Sequence, residues 1–397
     1  MSWGSIRPLF ALAFALLAVS GCRGEADRAD GQDSGNGRIA VVRTSGDDVP
    51  HWGIAGEPLV DVGSVGGDPL VNVSRAVRVG ETVVVADAGA RRLGFYGLDG
   101  SLLRAAGGRG YGPGEFQHPA WVGALGEDSV LVWDAGVRRF SVFSAQGEWA
   151  RSFTPQGLTG SFPTVHGVFG DGSVLMTSGM PMGGAGSAPR RDSVTFLRVG
   201  REGAVLGDPG RFPGPEYYVV HGGPAGRRSY ARPFGRETFA VVQPDGFWVT
   251  TGDAYELVEH GMEGTPRRVV RRRVAPVRLS RRDADAYRRE LLSAVGAADA
   301  PAWRYALDAA SFPDVLPPLA GLAAGASGEV WAREAQPPST FDDGARWMVF
   351  AADGTPQGQV TVPPRFTLWQ AGEDWILGGQ TAADGSERVP LYRVLRP

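Results

Sequence analysis

Residues 83–106 read VVVADAGARRLGFYGLDGSLLRAA and residues 130–153 read VLVWDAGVRRFSVFSAQGEWARSF; nine of the 24 aligned positions are identical without a gap. Each copy opens on an apolar run, turns at Asp-Ala-Gly-x-Arg-Arg, resumes in a second run, turns at a glycine and ends in a third run. Apolar stretches punctuated in this way predict three strands joined by tight hairpins. Between the copies lies GGRGYGPGEFQHPAWV (107–122), with five glycines and two prolines. Such backbone-permissive residues suit a connector from the outermost strand of one unit to the innermost strand of the next.

Weaker echoes follow. GVFGDGSVLMTS (167–178) and SVTFLRVGREGAVLG (193–207) predict a third unit, and FAVVQPDGFWVTTGDAYELVEHG (239–261) begins a fourth. GLAAGASGEVWARE (321–334) with RWMVFAADGTPQGQVTV (346–362) makes a fifth, and FTLWQAGEDWILGGQ (366–380) with VPLYRVLRP (389–397) a sixth. The sixth stops after three strands, whereas PLVDVGSVGGDP (58–69) precedes the first unit as an orphan strand. The expectation is an all-β fold over residues 38–397, a six-bladed β-propeller closed by an N-terminal strand. Closure removes the open sheet edges that invite association. IAVVR (39–43) is expected as a further edge strand.

Two insertions interrupt the period. Residues from about 208 to 237, rich in glycine, proline and arginine, are expected to form a long loop. Residues from about 276 to 320 contain SRRDADAYRRELLSAVG, a predicted helix. Ser280 can cap its N-terminus and Asp283 suits the positive end of the dipole. Tyr287, Leu291, Leu292 and Val295 share a face, and Gly296 stops the helix.

The two Asp-Ala-Gly-x-Arg-Arg units and the GPGEFQHPAWV connector resemble NHL repeats, with Ala90 and Val137 where the repeat usually has asparagine. Residues 38–397 as a whole resemble the six-bladed β-propeller lipoproteins of bacterial envelopes. The resemblance implies ligand contact through loops over the channel. It also implies an alternative, because some similar propellers are lactonases or lyases holding a divalent metal in the channel.

Near the N-terminus, Arg7 and the run PLFALAFALLAV lead into Val19-Ser20-Gly21-Cys22, which resembles a lipobox. Residues 1–21 are therefore expected to be a lipoprotein signal peptide, Cys22 the lipidated residue, and 22–37 a flexible tether. The expected location is the bacterial cell envelope, with the lipid holding the protein to a membrane on the periplasmic side or cell surface. As Cys22 is the only cysteine, an intramolecular disulfide is excluded.

Composition narrows the chemistry. A net charge of −3 gives no global attraction to nucleic acid, which is not an expected partner. All 40 cationic side chains are arginine, so lysine Schiff-base chemistry is excluded. Ten arginines fall between Arg267 and Arg289. They could meet anionic lipid or polysaccharide, but the preferred expectation is that they protect a strand edge from pairing.

Asp87 and Asp134 recur at the blade period, and each is read as a hairpin-heading aspartate that bonds its own turn. The five histidines show no metal-ligand spacing, and neither H-E-x-x-H nor G-x-S-x-G occurs. His118 and His166 lie near predicted inner-strand starts, where a channel mouth would form. Arg109 and Tyr111 project from the glycine-rich connector, a cation and an aromatic suited to carbohydrate or anionic ligands. The inner-strand starts SRAVRV, PAWVGA, TVHGVFG, FAVVQP and LAGLAA are mainly apolar, which argues against a metal site. The expected function is therefore non-catalytic: a monomeric binding or scaffolding module for a protein or carbohydrate. Arg109, Tyr111, His118 and His166 are its candidate contacts; no catalytic residue, metal or cofactor is expected. A subunit of an envelope complex is a third reading, with an exposed apolar patch as its mark.

Overall fold

Each repeat folds as a meander of antiparallel strands whose apolar positions pack against the next sheet. The computed structural model describes residues 39–44, 49–63, 69–180, 188–223, 226–382 and 384–397. The expected signal peptide, Cys22 and the tether lie outside them.

Three strands precede the first repeat: β1 (Ala40–Thr44), β2 (His51–Ile54) and β3 (Val60–Val62). The first repeat is β4 (Val73–Val79), β5 (Thr82–Asp87), β6 (Arg92–Gly97) and β7 (Leu102–Gly107), hydrogen-bonded in that order. The second is β8 (Pro119–Ala124), β9 (Ser129–Asp134), β10 (Arg139–Ser144) and β11 (Trp149–Phe153). In the third, β12 (Val165–Val168), β13 (Val174–Thr177), β14 (Ser193–Val199) and β15 (Val205–Pro213) repeat the order. A separate hairpin follows, β16 (Tyr217–Val220) with β17 (Arg228–Ala231). The next meander is β18 (Phe239–Gln243), β19 (Gly246–Thr250), β20 (Glu256–Gly261) and β21 (Pro266–Arg272).

The remaining strands belong to one nine-stranded sheet. One part is the meander β22 (Leu319–Ala324), β23 (Val330–Glu334), β24 (Ala345–Phe350) and β25 (Pro356–Val362). The other is β26 (Phe366–Ala371), β27 (Trp375–Thr381) and β28 (Glu387–Leu395). The orphan segment supplies the missing strand, for β3 pairs antiparallel with β28, Val60 opposite Leu391 and Val62 opposite Val389. β2 joins the two parts, running parallel to β25 at His51 and Trp52 and antiparallel to β28 at Gly53 and Ile54.

The first strands of the meanders face one another. β4 packs on β8, β8 on β12, β12 on β18, β18 on β22 and β22 on β26, which returns to β4. The protein is mostly β with a propeller-like arrangement. Its core lies between successive sheets; Val84, Phe95, Phe116, Val130, Val132 and Phe143, for example, join the first two. The glycines of the connector are needed for this packing. Gly107 has φ +94°, and a Cβ there would meet the Phe116 ring at 2.5 Å.

The insertions correct two expectations. Residues 208–237 are not simply a loop: they hold the end of β15 and the β16–β17 hairpin. The arginine-rich edge of β21 is not left unpaired, because β1 lies parallel along it from Ala40 opposite Arg268 to Thr44 opposite Arg272. Arg267, Arg268, Arg271, Arg272 and Arg288 pair with Asp245, Glu259, Glu256, Glu334 and Asp285 respectively.

The predicted helix is α1 (Arg281–Ala294), with Ser280 and Asp283 forming a reciprocal capping box and Tyr287 and Leu291 buried. A second helix, α2 (Ala300–Ala309), lies beyond the expected one and has proline in its first turn, a helix-start signal. The hairpin and both helices share small cores, Tyr218, Tyr230 and Ala306 in one and Tyr287, Leu291 and Leu307 in the other. Both insertions lead into the starts of inner strands, so they rise at that end of the channel. There Asp283 accepts a hydrogen bond from Ser339 N–H at 3.1 Å, in a 3-10 helix over Pro338–Asp343.

Candidate functional site

The site begins with a repeated irregularity. The pairing of β4 with β5 skips one residue between Val73 and Arg75, and β8, β12, β22 and β26 carry the same kind of bulge. A bulge adds one residue to one strand and re-aims its side chains. The residues at or just after these bulges include Arg75, Trp121, His166, Trp369 and Gln370, and all five line one cavity.

That cavity has a volume of about 290 Å³, and β4, β8, β12, β18, β22 and β26 all contribute to its wall. It is the central channel. Apolar residues such as Val165, Val241, Leu322 and Leu368 fill in between the polar groups. Arg75 donates from Nη2 to the Trp369 carbonyl at 2.9 Å, and its guanidinium stands 5.8 Å from the Trp121 ring centroid. Burial pushes Arg75 down to about 10, which leaves it cationic at neutral pH. Gln370 is already engaged: its Oε1 accepts from Arg78 N–H at 2.7 Å, tying β26 to β4.

His166 stacks on Phe196 with centroids 4.7 Å apart. Burial pushes its imidazole down to about 4, opposed in part by the Ala240 backbone, so the ring is neutral at pH 7. Its Nε2 is buried without a hydrogen-bond partner among the described residues.

Two further groups stand where inner strands begin. Glu237, just before β18, is accessible to solvent yet so surrounded by protein that burial pushes its carboxyl up to about 7, with Arg191 opposing. Arg333 on β23 lies over Gly321 of β22, where a Cβ would approach Arg333 Cβ to 3.6 Å, and burial lowers its pKa. A second depression of about 300 Å³ lies at the far end of the inner strands, among Leu125, Phe169, Asp171, Arg201 and Pro244.

Of the sequence candidates, His166 alone lines the central cavity. Arg109 and Tyr111 stand exposed on the connector, Tyr111 at 75%. That connector is well held: Arg139 donates to the carbonyls of Tyr111, Gly112 and Glu115, each at 2.9 Å. His118 is half-buried, and its backbone N–H donates to Asp134 Oδ1 at 2.9 Å. Arg75, Trp121 and Trp369 were missed, though the arginine stood in SRAVRV and a tryptophan in PAWVGA. Only the bulges turn them inward.

A divalent metal does not fit this lining. Among the described residues its lining offers one imidazole and no carboxylate, beside a fixed cation. Among the described residues no three His, Cys, Asp or Glu side chains converge.

No family model matches the sequence, and no curated protein matches it. Solved structures are similar to it in shape. A protein of Bacteroides fragilis described as exported has TM-score 0.49 at 9% identity, over 90% of this chain and 100% of its own. A streptogramin B lyase has TM-score 0.39 at 12% identity, over 84% and 86%. A gluconolactonase of Xanthomonas campestris has TM-score 0.39 at 14% identity, over 86% and 98%. None of these transfers an activity to this chain.

Proposed function

We propose that this chain is a six-bladed β-propeller lipoprotein of a bacterial cell envelope, acting as a non-catalytic binding module for a ligand received at its channel. The count treats the nine-stranded sheet as two blades bridged by β2, and the ring of inner-strand contacts supports it. Support for the anchor is the Val19-Ser20-Gly21-Cys22 motif in the sequence. Arg109, Tyr111 and His118 would add contacts to a protein or carbohydrate reaching over the rim.

One observation carries the binding reading. A cavity walled by every inner strand presents Arg75, His166 and Gln370, with no carboxylate among the described residues of its lining to serve as base, nucleophile or metal ligand. The same donor set disfavours the lactonase- or lyase-like alternative. Metal analysis of purified residues 38–397, run with a thermal-shift ligand panel, tests the choice. Ligand stabilisation without bound metal is expected; stoichiometric, tightly held metal would overturn the reading. For the anchor, labelling by an acyl analogue should disappear in Cys22→Ala, and persistent labelling would refute lipidation there.

A further inference from the structure

We infer that the channel holds a small organic carboxylate, clamped by Arg75 between Trp121 and Trp369. This deepens the binding-module reading and rests on it. The argument starts from charge. Several other sheltered arginines have carboxylate partners: Arg272 pairs with Glu334, Arg232 with Glu216, Arg191 with Asp253, and Arg198 with Asp171 and Glu263. Arg139 has none but spends its guanidinium on three carbonyls.

Arg75 is different. Its hydrogen bond is to one carbonyl, and no carboxylate pairs with it among the described residues. A guanidinium has five N–H donors in a rigid fork, and this one, on the cavity wall, bonds one protein carbonyl. It stays charged and is half-buried, so its partial loss of water without a counter-charge carries a cost. A bound anion removes that cost, and the fork of an arginine fits the two oxygens of a carboxylate. Arg333, also without a carboxylate partner among the described residues, adds positive potential from the inner-strand-start end.

The walls describe the rest of the ligand. Trp121 and Trp369 come from the strands flanking β4, and Leu322 and Leu368 are apolar. The two indoles pack into the neighbouring inter-sheet cores, Trp121 over Gly123 and Trp369 over Gly379, so they give the cavity apolar wall for the body of the ligand. Neutral His166, with its unpartnered Nε2, offers one further polar contact. About 290 Å³ admits a molecule of small-metabolite size.

The test uses thermal shift and calorimetric titration of the protein with three matched probe pairs: benzoate and benzamide, galacturonate and galactose, acetate and acetamide. At least one carboxylate should stabilise the protein where its neutral partner does not. Arg75→Met should weaken that binding at least about tenfold, a loss typical of a removed charged contact, and Arg75→Lys should recover part of it. If no carboxylate exceeds its neutral partner, or Arg75→Met binds equally well, the inference fails. Should Arg75→Met not fold, the pairs on the unaltered chain decide alone. Galactose or benzamide binding equally in both proteins would keep the binding module while removing the carboxylate clamp.

Discussion

Asp134 accepts hydrogen bonds from four backbone N–H groups: Gln117 at 2.7 Å, Gly136 at 2.8 Å, His118 at 2.9 Å and Val137 at 3.3 Å. It therefore fastens the connector into β8 as well as its own turn. Asp87 does the same from Val71 and Ala90. Asp134→Ala should cost about 3 kcal/mol in urea unfolding, since buried donors lose a charged acceptor; exposed Asp128→Ala is the control. A loss below that of the control would show that the aspartate does not hold the blade junction.

Two channel-end residues titrate in opposite senses. His166 is held below its ordinary range, so its stability contribution is full above 6.5 and falls away as pH drops toward about 4. Glu237 is held above its range, so its contribution is full below 4.5 and is lost as pH rises through about 7. In the unaltered protein the two slopes oppose each other between these limits. Relative to the unaltered protein, Glu237→Gln should make stability rise more steeply with pH, and His166→Gln should make it rise less steeply. Identical slopes in the two variants would contradict the assignment.

Among elements, α1 was the most legible insertion because its start and apolar face are local features. Ser280 N–H and Oγ both reach Asp283, and Asp283 N–H returns to Ser280 Oγ at 3.2 Å. Ser280→Ala should destabilise the helix by about 1 kcal/mol. Faster amide exchange confined to α1 and its packing partners would mark the effect; unchanged exchange would mean the cap contributes nothing. The β16–β17 hairpin was not legible, since its strands are short and stabilised by α2: Tyr218 Oη donates to the Ala306 carbonyl at 3.0 Å. β2 was missed for a similar reason, being four residues long and paired only with strands distant in sequence.

At the scale of the molecule, the strand before the first repeat meets the last strand. Val73 N–H donates to Glu387 at 2.6 Å, and Arg388 pairs with Asp61 beside the β3–β28 ladder. Removing residues through Val62 should leave β28 with an open edge, giving a lower Tm and concentration-dependent association. Starting instead at Val49 removes β1 but keeps β2 and β3, and should be milder. Equal behaviour of the two truncations would show that β3 does not secure the closure.

The repeat period, the strand-rich fold, the orphan strand and the helix start could all be derived from the sequence, because each depends on residues close together or on a pattern that recurs. The lining of the channel could not. Whether Arg75, Trp121 or Trp369 faces the channel depends on a one-residue bulge, and slipping a strand by one position exchanges its faces. The absence of a carboxylate beside Arg75 likewise depends on which distant strands became its neighbours. Chain packing decided both, and with them the charge and shape of the site.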